Sequence, residues 1–212
     1  MDKKDLIIGR ALKFGWDHAG KNWLVFAVFF LAIGVINCLP SFPSDNLSKY
    51  ANLYTALAVA IGFIFLVASV ILEMGFVKVL LAIVDGKKVK ITDLFVHYKN
   101  FFSYFIVNVL YLLIVTAGLL FLIVPGVYWA IKYRFAPFLV IDQGMKPVEA
   151  LHMSGEMTRG FKWDLLGFAM VKAVVIFLGL CVFGIGVFPA IIVASIANAV
   201  VYRDFLPKKI SS

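Results

Sequence analysis

Five ionisable residues stand inside or at the edge of apolar runs: Glu73, Lys78, Lys132, Arg134 and Lys172. A charge at the centre of a bilayer costs about 2.5–3.5 kcal/mol on insertion scales. Each of these side chains therefore needs a partner, a route to the headgroups or a use. Glu73 and the neighbouring Lys78 fall toward the inner end of their run, and Lys78 can snorkel along its own stem. Lys172, seven residues into its run, can do the same. Arg134 is harder to house, because a rise of about 1.5 Å per residue puts it about 12 Å along a helix starting at Gly126. Glu73, as the acid inside an apolar run, is its first candidate partner, and Asn108 and Asn198 are neutral acceptors. Such a set serves either an ion or substrate path or a structural buried pair.

Other chemistry finds little footing. The sequence has no His-Glu-x-x-His, no phosphate-cradling Gly-rich Lys-Ser loop and no Gly-x-Ser-x-Gly elbow. His18, His97 and His152 are scattered and read as solvated. Cys38 and Cys181 lack metal-ligand spacing, although a bridge between them stays open. Asn46-Leu47-Ser48 fits a glycosylation acceptor. We therefore expect no catalytic residue, no metal and no cofactor.

The elements that carry these residues follow from composition. The chain has 212 residues, of which 63% are hydrophobic and 15% charged, and its mean hydropathy is +0.98. Soluble domains hold roughly 45–50% apolar residues, so lipid must cover the excess. A spanning helix needs about 20 apolar residues. Punctuation by Pro, Gly and charge marks six runs, approximately 22–39, 53–72 with a tail to Val84, 101–124, 126–141, 165–183 and 189–203. The fourth is interrupted by Lys132, Arg134 and Pro137, and Pro125-Gly126 is read as the turn before it. Charged Met1-Asp2-Lys3-Lys4-Asp5 is not followed by a short apolar region with a cleavage site, so no leader is expected.

The formal net charge of +8 is distributed between the runs instead of forming a nucleic-acid stripe, which argues against nucleic acid. Lys3, Lys4, Arg10, Lys13 and Lys21 precede the first run, and Lys49 alone follows it. Lys87, Lys88, Lys90 and Lys99 come next, then none near Pro125. Lys146, Arg159 and Lys162 follow, then none near Gly184, then Arg203, Lys208 and Lys209. Cytoplasmic loops carry the Lys and Arg excess, so both termini are expected inside a cell (inner) membrane.

A weak repeat runs through the chain. A moderately polar segment, a span, a Pro or Gly break and a returning span recur three times, opening at Asp5–Asn22, Ile91–Asn100 and Pro147–Trp163. Lys78-Val-Leu-Leu-Ala-Ile-Val-Asp85-Gly86 aligns with Arg134-Phe-Ala-Pro-Phe-Leu-Val-Ile-Asp142-Gln-Gly144, and Arg203 in Tyr-Arg-Asp-Phe resembles Arg134 in Tyr-Arg-Phe. The expected fold is an all-α integral membrane protein of six transmembrane helices, arranged as three hairpins with cytoplasmic interfacial helices. The third of these, with Leu151, Met153 and Met157, suits a half-immersed helix. Ala190, Ala194 and Asn198 recur at intervals of four, with Ser195 and Ala199 beside them, and small residues of this kind place the last helix at the bundle centre.

Glu149-Ala150-Leu151, Ser154, Glu156-Met157, Gly160 and Lys162-Trp163-Asp164-Leu165, preceded by Pro125-Gly126 and a basic Tyr-Arg, form a recognisable pattern. The chain here resembles the bacterial membrane family known as domain of unknown function 975. More distantly it resembles the membrane domain attached to some glycerophosphodiester phosphodiesterases, whose soluble catalytic domain it lacks. The likeness is strongest over about Leu122–Phe168 and implies a polytopic inner-membrane protein without an assigned reaction. The leading expectation is a non-enzymatic protein that binds anionic lipid headgroups at its cytoplasmic face, with Lys87, Lys88 and Lys90 as contacts, or another membrane protein. The alternative is a small-solute transporter or channel using the intramembrane charges.

Overall fold

A computed structural model describes residues 3–38, 51–94, 100–181 and 186–206. In chain order the helices are α1 (Lys3–Ala19), α2 (Trp23–Cys38), α3 (Ala51–Val84), α4 (Phe101–Phe121), α5 (Ile123–Tyr133), α6 (Ala136–Gln143), α7 (Pro147–Met157), α8 (Lys162–Cys181) and α9 (Val187–Phe205). Four stretches are long and apolar enough to cross a membrane: Val59–Val84 of α3, α4, Lys162–Leu180 of α8, and α9. The first run appears as α2, at 16 residues, and the second as one helix of 34 residues. Asn46–Ser48, His97, Lys99 and the side chains of Cys38 and Cys181 lie outside the described residues.

The fourth run differs from its expected form. It is two helices, α5 of 11 residues and α6 of 8, separated at Arg134–Phe135. Neither crosses about 30 Å of hydrocarbon alone. The turn before it falls at Leu122, whose backbone is extended (φ −164°, ψ 148°), so Pro125 and Gly126 lie inside α5. Proline's missing N–H is harmless in a first turn. Gly126 instead serves contact: a Cβ on Gly118 of α4 would come within 2.8 Å of the Gly126 Cα. The glycine pair draws α4 and α5 into a close hairpin.

α9 occupies the centre, as its small residues required. Half of its apolar stretch is buried inside the protein, against no more than 17% of any other candidate span. Ala190, Ala194, Ala197 and Ala199 are all buried. Around it pack α1, α8 and α3. The C-terminal half of α1 is docked on this helix, since Gly15 lies against Val193 and Ala19–Gly20 share a groove with Phe188 and Ile192. It then runs into α2 through a 3-10 turn at Gly20–Asn22 that keeps the backbone helical.

The second polar segment contains only a 3-10 turn, Ile91–Leu94, among its described residues. The third is α7, but its apolar residues face protein: Ala150, Leu151 and Met157 are buried against α6, α4 and α5. The half-immersed reading of α7 is corrected accordingly.

Candidate functional site

The break in the fourth run creates a backbone problem that α7 solves. At Arg134–Phe135 the helical ladder stops, and Pro137 in the first turn of α6 has no N–H to offer. Ser154, fully buried, accepts a hydrogen bond from the Phe135 N–H at 3.2 Å and donates to the Lys132 carbonyl at 2.9 Å. Thr158, also fully buried, donates to the Ser154 carbonyl at 3.0 Å. These contacts lock the third polar segment onto the break and fix the direction in which Arg134 leaves the chain.

Arg134 reaches α9. Its Nη2 donates to Asn198 Oδ1, and the same oxygen accepts from Lys172 Nζ at 2.8 Å. The guanidinium lies 5.5 Å from the Phe135 ring centre and 5.6 Å from that of Phe168, while Lys172 Nζ lies 5.1 Å from the same Phe168 ring. Two cations therefore share one neutral amide and the face of one aromatic ring, and ring quadrupoles attract such cations. Glu73 is not the partner. It is exposed between buried Leu72 and Met74, and among the described residues it makes no ion pair. Asn108 is also engaged elsewhere, donating to the Tyr104 carbonyl at 2.9 Å.

A second charged centre joins three helix ends. Arg203 Nε and Nη2 donate to the two oxygens of Asp85 at 2.9 and 2.8 Å, and Nη1 and Nη2 donate to those of Asp142 at 2.6 and 2.9 Å. Tyr202 Oη and Gln143 Nε2 donate to Asp142 Oδ2 at 2.9 and 2.7 Å. Burial pushes the Asp142 carboxyl up, but the bonds from Arg203, Gln143 and Tyr202 and the guanidinium charge outweigh it and hold the group below the ordinary carboxylate range. Both acids precede glycines of positive φ, Gly86 at 70° and Gly144 at 65°, which end α3 and α6 in the left-handed turn that glycine adopts freely. Asp85 and Asp142, which align in sequence, thus converge on Arg203 of α9. The spacing of Asp and Gly was the signal for this centre, although the pairing itself was not evident from it.

The remaining expected residues sit apart. Lys87, Lys88 and Lys90 are exposed beyond the α3 turn, with Lys87 Nζ 3.8 Å from Asp85. Lys132 points away from the Arg134 cluster, with Nζ 4.8 Å from the Tyr133 ring centre. It lines a groove of about 480 Å³ that also holds Arg159 and Lys162. Lys162 Nζ donates to Tyr128 Oη over that residue's ring, so the start of α8 meets the first half of α5. A straight spanning helix over 126–141 would hold these two apart. Among the described residues no three His, Cys, Asp or Glu side chains converge as metal ligands do.

Four helices long and apolar enough to cross a membrane, packed around a small-residue centre, are the features of a helical membrane protein. Compared with known protein families, curated proteins and solved structures, the chain matches none.

Proposed function

We propose that this chain is a non-enzymatic inner-membrane protein, with both termini cytoplasmic, whose basic inner face binds anionic lipid. The observation that carries the reading is the exposed Lys87, Lys88 and Lys90 beside the Arg203 centre. Asp85, 3.8 Å from Lys87 Nζ, is already bound to Arg203 through both of its oxygens, and all three lysines stay exposed toward headgroups. Another membrane protein with an acidic surface is the other partner this face suits. Asp85, Asp142 and Arg203 meet at one point, which supports an even number of crossings between each pair. In the six-span arrangement α4 and the α5–α6 pair make two of these, and α8 and α9 make two more. The likeness to domain of unknown function 975 supports the same location and lends no reaction.

Each Lys or Arg held near an anionic surface contributes about 1 kcal/mol. Replacing Lys87, Lys88 and Lys90 together by Gln should therefore lower the preference for phosphatidylglycerol over phosphatidylcholine roughly 100-fold. The test is lipid competition in nanodiscs read by native mass spectrometry. An unchanged preference would remove these lysines from the reading.

The shared grip of Arg134 and Lys172 on Asn198 favours a second reading, an anion path through the bundle. It requires water at Arg134.

A further inference from the structure

The groove beside Lys132 is built differently from the lysine-rich turn. Its polar end is made by Lys132 on α5, Arg159 in the turn after α7, and Lys162 at the start of α8. Glu156 lies in the same groove, with Oε1 3.6 Å from His152 Nδ1. Three fixed cations face one carboxylate, so the groove is cationic whether or not His152 is protonated. Among the described residues neither Lys132 nor Arg159 contacts a carboxylate. Room for the Lys132 stem comes from Gly155, where a Cβ would stand 2.9 Å from Lys132 Cε.

Across Lys162 the surface changes character. A second groove, of about 530 Å³, continues along α5 and the first turn of α8, lined by Val127, Tyr128, Ile131, Trp163 and Leu166. Apart from the Lys162 ammonium and the Tyr128 hydroxyl this lining is apolar. Lys162 is the first residue of a candidate span, and Trp163, next to it, is 84% exposed. Trp and Lys at the start of a span mark the depth of the headgroups. A cationic groove at that depth, joined end to end with an apolar groove, matches a molecule with an anionic head and a hydrocarbon tail.

We propose that the α5–α7–α8 surface is a specific phospholipid site. The phosphate of an anionic phospholipid sits against Lys132, Arg159 and Lys162, and one acyl chain lies along Val127, Ile131 and Leu166. The occupant is a lipid and not a soluble phosphate, because the cationic groove continues into an apolar one and only a molecule with both an anionic head and a hydrocarbon chain fills both. This site rests on the lipid-binding reading, but shares no residue with Lys87, Lys88 and Lys90.

The experiment uses the full chain in nanodiscs with mixed phosphatidylglycerol and phosphatidylcholine, counting lipids retained after gentle release by native mass spectrometry. One tightly held phosphatidylglycerol is expected. Arg159→Gln, at an exposed position in the turn after α7, should weaken its retention about fivefold, and Ile131→Trp, which fills the tail groove, should abolish it. The Lys87, Lys88 and Lys90 triple variant should keep this one lipid. Retention unchanged by both groove variants, in a protein that still prefers phosphatidylglycerol, overturns the site and leaves the lipid-binding reading intact. No preference in any form of the protein sinks both. Displacement of the lipid by millimolar glycerol phosphate, matching that by short-chain phosphatidylglycerol, also overturns it, because the tail groove then contributes nothing.

Discussion

Asn198 holds two cations with one oxygen, and at the residue scale this makes it the most exposed point of the design. Hydrogen bonds to charged groups contribute about 1.5–3 kcal/mol each. Asn198→Ala should therefore lower unfolding free energy by roughly 2–3 kcal/mol, because it leaves Arg134 and Lys172 repelling each other with only Phe168 and Phe135 to face. Asn198→Asp, which places a carboxylate between them, should be at least as stable as the parent. Thermal unfolding in detergent checks both, and an Ala variant as stable as the parent would mean that water already serves these cations. The need for a partner at Arg134 was legible from charge cost alone, and Asn198 was among the acceptors named. Glu73 was not excluded by sequence, because nothing in its run reveals the phase of α3. Buried Leu72 and Met74 on either side turn its carboxylate outward.

Between elements, the distance from sequence to structure is greatest where proline occurs. The ends of α2, α4, α8 and α9 fall within a few residues of the apolar runs that predict them, since hydrocarbon length and helical rise leave little freedom. Pro125 and Pro137 were both readable as breakers, yet each begins a helix instead of ending one, and only the cost of the freed backbone groups explains how. Ser154 supplies what the break removes, and no local pattern announces that a serine 19 residues beyond Phe135 will do so. Ser154→Ala should leave the Phe135 N–H buried and unsatisfied, at a cost of about 1–3 kcal/mol. Ser69→Ala, at a half-buried site whose hydroxyl bonds only within its own helix, to the Leu66 carbonyl at 2.8 Å, should stay within about 0.5 kcal/mol of the parent. Chemical unfolding of the two variants side by side gives the comparison, and equal losses would assign Ser154 no special part in holding α7.

For the whole molecule, the repeat carries more meaning than its weak identity suggested. Asp85 and Asp142 stand at matching places in two similar stretches of sequence and grip the same guanidinium, so the ends of α3, α6 and α9 are tied at one point. A bundle closed in this way still leaves open whether water reaches Arg134, and the two functional readings divide on that point. After replacement of Cys38 and Cys181, single cysteines from Tyr128 to Phe138 can be challenged with a membrane-impermeant thiol reagent added from outside. Lys49→Cys, in the segment that the alternation of Lys and Arg predicts to be outside, should react, and Lys88→Cys should not. The lipid-binding reading expects silence along the whole stretch, because Phe135 and Ala136 are buried and Arg134 is enclosed by Phe135, Phe168 and α9. Labelling that follows one helical face as far as Arg134 would mean a wet path. The paired cations on Asn198 would then be an anion-selective constriction, since a carboxylate-free pair of positive charges admits anions and repels cations.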